Sequence, residues 1–227
     1  MPMLDRIPET EVMDDADEAH AYDAMDHTQS NMAFVERLLE LGIDQCNKAL
    51  DLGTGPGDIP IMLCGPTQAV AIFAVDLAQS MLDLAKRKIE IAGLGDRITL
   101  ANMDVKALDL PDASFDAVFS NTILHHIPEP AAMLAEAARV LKPGGLLLIR
   151  DLYRPESMDQ LNVLVDQHAG DCDAEQRRLF ADSLHAALTP DELRVLADAN
   201  GLSDCEIVID TDRHLSLQRK AKAYGPR

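Results

Sequence analysis

Lys48-Ala-Leu-Asp-Leu-Gly-Thr-Gly-Pro-Gly-Asp58 is the stretch around which the rest of the chain reads. A short apolar run ends in an acid, Asp51, and glycines follow at alternate positions, Gly53, Gly55 and Gly57. Glycine serves where the backbone takes a positive φ or must approach a ligand closely. Apolar spacing resumes with Asp58-Ile-Pro-Ile-Met-Leu63, so the stretch predicts a strand, a tight turn and a helix. Such a unit cradles nucleotide-type ligands. A single glycine turn does not say which ligand, so the flanking chain has to decide.

Downstream, strands and helices alternate. Ala69–Val75 is a continuous apolar run ending at Asp76, as expected of a parallel strand buried on both faces. Ser80–Ala92 has helical spacing and is closed by Gly93. Arg97–Ala101 and Phe115–Ser120 read as strands three and four. Pro130 opens a helix to Leu141, because proline suits a first helical turn. Lys142-Pro-Gly-Gly145 then turns into a fifth strand, Leu146–Ile149. Alternation of this kind predicts an α/β, Rossmann-like parallel sheet with right-handed crossovers and helices on both faces.

The rhythm breaks at both ends. Residues 1–17 are polar and acidic and read as an arm, followed by a short helix over about 18–25. Thr28 is the expected cap of a helix that ends at Gly42. Residues 153–188 carry helical spacing with no strand and read as inserted helices. Thr189-Pro-Asp-Glu192 has the cap, the first-turn proline and the acid of a helix start. Cys205–Ile209 and His214–Leu217 form a final strand pair, antiparallel because the connection is short. The expected organisation is one domain over 1–227. Residues 1–42 form a helical cap, 46–152 the ligand-binding core, 153–188 a helical insertion, and 189–227 a last helix and strand pair.

Charge and cysteine usage narrow the partners. The chain has 227 residues, 20 basic against 39 acidic, and a net charge of −19. That balance argues against nucleic acid, which is held by basic patches. The four cysteines, Cys46, Cys64, Cys172 and Cys205, form no C-x-x-C pair, so neither a zinc site nor any other metal is expected. The amino terminus lacks a basic segment followed by an apolar one, and no apolar run reaches the 18 residues or so of a membrane span. The expectation is a cytoplasmic protein with reduced thiols and no membrane partner.

Two cofactor classes share a strand, a glycine turn and an acid ending the second strand. Asp76 is that acid, placed to accept both hydroxyls of a ribose. A dinucleotide site has G-x-G-x-x-G, with a pyrophosphate at the helix start. Here the spacing is G-x-G-x-G and Asp58 stands at the helix start, where a carboxylate repels phosphate. This disfavours a nicotinamide dinucleotide and suits a ligand with a cationic, non-phosphorylated tail.

Five ordered segments carry a resemblance. They are Leu50-Asp-Leu-Gly-Thr-Gly-Pro-Gly57, Ala74-Val-Asp-Leu-Ala-Gln-Ser-Met-Leu82, Ala113-Ser-Phe-Asp-Ala-Val-Phe-Ser-Asn121, Leu124-His-His-Ile-Pro-Glu-Pro130 and Arg139-Val-Leu-Lys-Pro-Gly-Gly145. Over about residues 45–150 the chain resembles the class I S-adenosylmethionine-dependent methyltransferases, in the branch acting on small molecules. The resemblance implies a seven-stranded, mostly parallel sheet of order 3-2-1-4-5-7-6 with the last strand antiparallel. It implies S-adenosyl-L-methionine as cofactor and a small-molecule acceptor. By position, Gly53, Thr54, Gly55 and Gly57 resemble the loop at the methionine part, and Asp51 the acid near its ammonium. Asp76 resembles the ribose acid, flanked by Leu77 and Met81. Asp104 resembles the acid at the adenine amino group, with Met103 or Val105 packing on the ring. Asn121 falls near the sulfonium. Met81 and Met103 have a competing reading as core residues.

Methyl transfer is an in-line displacement in which the protein mainly aligns two reactants and keeps the site dry. A base is needed only where the acceptor must lose a proton. Candidates at the mouth are Tyr22 and His27 (beside Asp26), His125 and His126, Asp151 and Arg154, and Arg213 and His214. The convergence of two arginines and several histidines in so acidic a chain implies an anionic acceptor. Competing readings make Asp151 and Arg154 a structural ion pair and one of the paired histidines a packing residue. The alternative functions are a methyltransferase-like nucleoside-binding protein without transfer activity, and a protein methyltransferase.

Overall fold

The computed structural model describes residues 4–9, 19, 20, 23 and 27–221. Seven strands form one sheet of order β3-β2-β1-β4-β5-β7-β6. They are β1 (Lys48–Leu52), β2 (Ala71–Asp76), β3 (Ile98–Asn102), β4 (Phe115–Asn121), β5 (Leu141–Leu152), β6 (Glu206–Ile209) and β7 (His214–Arg219). The first five pair in parallel, and β7 runs antiparallel to both β5 and β6. The helices are α1 (Thr28–Glu40), α2 (Asp58–Cys64), α3 (Gln79–Ala92), α4 (Pro130–Val140), α5 (Met158–His168), α6 (Ala174–Ala186) and α7 (Pro190–Ala199). No helix among the described residues is long and apolar enough to cross a membrane.

The apolar runs of the strands are continuous because both sheet faces are covered. Leu50, Leu52, Val75, Val118, Leu147 and Ile149 meet Met133, Leu134 and Ala137 of α4 and Leu193 and Ala197 of α7. The alternate residues Ala49, Ile72, Ala74, Ala117, Phe119, Leu146 and Leu148 meet Phe34, Val35 and Leu38 of α1, Leu63 of α2 and Ile89 of α3. Asp51 sits in the second set, a buried acid in an otherwise apolar row.

Local signals held in most places. Thr189 and Glu192 form the expected capping box at α7. The stretch after β5 contains two helices, α5 and α6, and a bridge between Tyr153 and Leu188 returns the chain to the sheet end. Two expectations need correction. Thr28 is the first helical residue and not the cap; that position falls to His27, with no side-chain capping bond. The Lys142–Gly145 segment does not interrupt the strand. Leu141 pairs with Phe115 and Leu146 with Ala117, so the segment is a bulge inside β5. A Cβ on Gly145 would stand 2.7 Å from the Asp116 carbonyl oxygen, so packing against β4 requires glycine there.

Candidate active site

The strand order reverses between β1 and β4, and ligands of open α/β sheets bind in the crevice outside such a reversal. The registers Asp51↔Phe119, Asp76↔Asn102 and Asn121↔Arg150 bring the strands' carboxyl ends to this crevice. A cleft of about 190 Å³ opens there. The glycine loop supplies Gly53, Thr54, Gly55 and Pro56, and α2 supplies Asp58 and Ile59. The ends of β2 and β3 supply Asp76, Leu77, Asp104, Val105 and Lys106, and α3 adds Met81. The end of β4 supplies Asn121, Thr122 and Ile123, with His126 and Ile127 beyond. His27 and Asn31 close it from the start of α1.

The three loop glycines all have positive φ, but a side chain would meet something different at each. At Gly55 a Cβ would find nothing within 4 Å, so its backbone is open to the cleft. At Gly57 it would stand 3.0 Å from the Ala85 Cβ, so this glycine lets α2 pack on α3. At Gly53 it would stand 2.6 Å from the Ile123 Cδ1. Ile123 is held there by Thr122, a β-branched residue with a left-handed φ of 57°. Gly53→Ala is therefore expected to cost about 1–3 kcal/mol from the forced φ alone. It should also push Ile123 out of place. Chemical denaturation checks this, and stability equal to the parent would show that the loop relaxes freely.

The acids at the strand ends are organised by backbone. Asp76 Oδ2 accepts from the Gly55 N–H at 2.8 Å and Oδ1 from the Ala78 N–H at 2.9 Å, tying the glycine loop to the end of β2. Asp104 Oδ1 accepts from the Lys106 N–H at 2.9 Å and pairs with its ammonium at 3.0 Å. Asp58 pairs with Lys88 at 2.7 Å, and Lys88 also holds Asp23. The acid at the helix start is therefore neutralised by a lysine, which the glycine-spacing argument did not foresee.

Buried polar atoms mark where a ligand fits. Asp51 Oδ2, Thr54 Oγ1 and Asn121 Oδ1 are buried and have no hydrogen-bond partner among the described residues. Leaving such a group unpaired costs about 1–3 kcal/mol, so donors arriving with a ligand would be well received. Burial pushes the Asp51 carboxyl up to about 7, the Thr54 hydroxyl beside it opposes the rise, and the nearby Asp76 charge adds to it. A positively charged group above the loop would reverse that.

Most of the expected cofactor residues converge. Gly53, Thr54, Gly55, Asp76, Leu77, Met81, Asp104, Val105 and Asn121 all line the cleft. Asp51 lies behind the loop instead of on the wall, and Gly57 is a packing residue. Met103 packs against the core, as its competing reading had it.

The acceptor candidates divide differently. His27 and His126 line the cleft, and Tyr22 and Asp26 lie outside the described residues. The expected convergence of Arg154 and Arg213 on the mouth does not occur. Arg154 is buried and donates to the carbonyls of Leu4 and Ala187 at 2.9 and 2.7 Å and to Glu192 Oε1 at 2.6 Å. The pairing of Asp151 with Arg154 is likewise replaced. Asp151 Oδ1 lies 2.6 Å from His125 Nδ1, and Oδ2 accepts the His125 N–H at 2.7 Å. Both residues are buried off the cleft wall. Arg213 is held by His168 of α5 and by Asp212. His214 is buried 3.0 Å from Thr211 Oγ1, and burial, reinforced by the Arg150 and Arg213 charges, pushes it down to about 3.

The residues missed by reading the chain are Lys106 on the wall, and Arg6 and Glu9 beside it, whereas Asn31, Thr122 and Ile123 fall in the stretches 20–31 and 121–126 expected at the mouth. Arg6 donates to the carbonyls of Ala186, Pro128 and Ile127, and Glu9 Oε2 lies 2.7 Å from His126 Nδ1. These residues lie in a polar segment without periodicity, so no local pattern marked them.

Known proteins share this sequence and fold. Residues 50–149 match the family model described as a methyltransferase domain. The chain is 30% identical over 157 residues to the 27-O-demethylrifamycin SV methyltransferase of Amycolatopsis mediterranei, covering 69% of this chain. It spans about half, 54%, of that relative's length. It is 30% identical over 200 residues to the demethylmenaquinone methyltransferase of Thermus thermophilus, covering 82% of this chain and 89% of that one. A crystal structure of a SAM-dependent methyltransferase from Aquifex aeolicus shares the fold, with a TM-score of 0.65 at 19% identity over 92% of this chain and 99% of that one. The chain belongs to the class I S-adenosylmethionine-dependent methyltransferases.

Proposed function

We propose that residues 1–227 work as one unit that moves the methyl group of S-adenosylmethionine onto a small molecule held between His27, Asn31, Asn121 and His126. The cofactor supplies a methyl carbon already activated by a sulfonium leaving group. The chain's own residues bind, align and desolvate. Asp76 receives the ribose hydroxyls, with Leu77 and Met81 beside the nucleoside. Asp104 and Val105 hold the adenine. Gly53, Thr54 and Gly55 take the methionine part, and Asp51 supplies the counter-charge for its ammonium from behind the loop. Asn121 stands near the reacting carbon. The observation that carries this reading is the set of unpartnered buried oxygens on Asp51, Thr54 and Asn121 around one cleft.

In this assignment 1–42 caps the cleft, 46–152 holds the cofactor, 153–188 is a helical insertion, and 189–227 completes the sheet. The net charge of −19 speaks against a nucleic-acid partner, and the four free cysteines support a cytoplasmic setting. An anionic acceptor has lost its support. Arg154 and Arg213 are engaged elsewhere, and the cleft wall carries Asp58, Asp76 and Asp104.

Calorimetry with S-adenosylmethionine and with NAD tests the cofactor, and preferential binding of NAD would overturn the reading. The pH dependence of binding tests Asp51. Its folded pKa is raised above the ordinary carboxylate value to about 7, so burying its charge costs the free protein stability as pH rises towards 7. A bound ammonium favours the ionised form. Affinity should therefore rise with pH up to and through about 7 and level off above it. Asp51→Asn should abolish that rise, and a rise that persists in the variant would place the counter-charge elsewhere.

A further inference from the structure

We propose that Ile123 sets the size of the group this protein accepts on the cofactor's sulfur: a methyl fits against its side chain and an ethyl does not. The inference rests on the methyl-transfer reading above and adds the residue that fixes which sulfonium is taken.

The topology brings Ile123 to the glycine loop. Asp51 of β1 pairs with Phe119 of β4, so Gly53 and Asn121, two residues further along each chain, leave the sheet side by side. Ile123 follows Asn121 and lines the same cleft as both of them. Its side chain lies over Gly53. A Cβ on that glycine would stand 2.6, 2.7 and 3.2 Å from Ile123 Cδ1, Cγ2 and Cγ1, so both branches of the isoleucine face the loop. In the reading above, Gly53 takes the methionine part and Asn121 stands near the reacting carbon. The third substituent on sulfur then has Ile123 as its neighbour.

Both sides of this gap are fixed. On the loop side, the Gly53 and Thr54 N–H groups both donate to the Val75 carbonyl at 2.9 Å, and Asp76 holds Gly55. On the other side, the Thr122 N–H donates to the Arg150 carbonyl at 2.8 Å and the His126 N–H to the Ile123 carbonyl at 3.1 Å. Between these anchors Thr122 keeps its left-handed φ of 57°, a conformation that a β-branched residue adopts only where its surroundings impose it.

The side chain itself is stiff. Branching at Cβ restricts χ1, and Ile123 packs against the core to which Leu52, Val118 and Leu124 belong. With its backbone anchored, few rotamers open to it and packed core beside it, the isoleucine does not swing aside for a larger group. A yielding wall would take an ethyl group by adjusting. A rigid one turns the added methylene into overpacking, which is destabilising. Met81 shows the contrast. It lines the cleft beside Leu77 and Ala78, and its unbranched thioether chain adapts to what it meets.

Calorimetry on the full chain with S-adenosylmethionine, S-adenosylethionine and S-adenosylhomocysteine tests this without an acceptor. The native protein should bind the ethyl sulfonium about 10–200-fold more weakly than the methyl one, the range that one methylene commands in an apolar pocket. In Ile123→Ala that ratio should shrink to less than about threefold, because the side chain that refuses the methylene is gone. Ile123→Val removes Cδ1 alone and keeps the branch at Cβ, and it should lower the ratio by at least about threefold. S-adenosylhomocysteine has no third group on sulfur. Its affinity for both variants should stay within about threefold of the native value, which also shows that they fold with the loop in place. Met81→Ala should keep the native ratio, because it opens the cleft away from the sulfur. Equal binding of the two sulfoniums by the native protein would overturn the proposal. So would a native ratio in either Ile123 variant, which would put the limiting wall elsewhere. An equal shrinkage in Met81→Ala would overturn it too, since it would report a general loosening of the cleft. Failure of the native protein to bind any of the three nucleosides would instead bring down the underlying reading.

Discussion

Asp76→Ala is expected to weaken S-adenosylmethionine binding by at least about a hundredfold in calorimetry, with the fold retained. Its carboxylate does two things at once. It accepts the Gly55 and Ala78 backbone N–H groups at 2.8 and 2.9 Å and so sets the height of the glycine loop over the cleft. In the proposed binding mode it also receives the ribose hydroxyls. Hydrogen bonds to a charged group are worth about 1.5–3 kcal/mol each, so losing two costs roughly 3 kcal/mol or more, which is two powers of ten in affinity. Asp76→Asn separates the two roles. An amide has one accepting oxygen, so either the loop contact or the Ala78 contact meets an NH₂ group instead. The expected loss lies between those of the native protein and the alanine variant. An alanine variant that binds S-adenosylmethionine as well as the native protein would move the ribose away from the end of β2.

Asp151→Ala should be the most destabilising of these substitutions, by about 3–5 kcal/mol, because it strands a buried histidine. The carboxylate accepts the His125 ring N–H at 2.6 Å, the His125 backbone N–H at 2.7 Å and the Leu152 backbone N–H at 2.7 Å. Side-chain exposure is 4% for both His125 and Asp151, so water does not replace what is lost. For a domain of this size each kcal/mol moves the melting temperature by about 2–4 °C, so a fall of roughly 6–20 °C is expected. The pH dependence gives a sharper sign. Burial opposes the charged imidazole of His125, but the Asp151 charge and hydrogen bond outweigh it and hold His125 above its ordinary value. A raised folded value means the pair stabilises fully below the unfolded histidine pKa, about 6.5, and loses that contribution as pH rises through the folded value. In Asp151→Ala the buried ring has no counter-charge, so the trend inverts and stability falls as pH is lowered. Thermal melts of both proteins from about pH 5 to about pH 9 show which trend holds. Parallel curves would mean that His125 is neutral in the native protein throughout.

What the chain discloses by itself is what neighbours in sequence decide. The glycine loop was legible because positive φ is required at Gly53, Gly55 and Gly57 and few other residues tolerate it. The parallel sheet was legible because strands buried on both faces must be apolar throughout. Asp76 was legible because its position follows from the end of one strand and the length of one crossover. The α7 capping box was legible because its partners are three residues apart.

The acceptor end was not legible, for a physical reason. Arg154, Arg213 and Asp151 do stand at the strands' carboxyl ends, but position on a strand does not say which partner a long or charged side chain finds. A buried guanidinium goes to the carbonyls and carboxylates nearest in space, and for Arg154 these are Leu4, Ala187 and Glu192, up to 150 residues away. Asp151 faces His125 across β5 and the loop after β4, a partner that spacing alone does not distinguish from Arg154. Arg6 and Glu9 were invisible because nothing periodic surrounds them; they acquire a role only where the folded chain lays them against Ala186, Ile127 and His126. The sequence alone therefore determined the parallel sheet and the glycine loop, since backbone conformation and burial impose those locally, and the cofactor followed from the family resemblance that five ordered segments carry. Only the tertiary structure decided which charges face the cleft and which histidines stand on its wall, because burying an unpaired charge is costly and its partners come from across the fold.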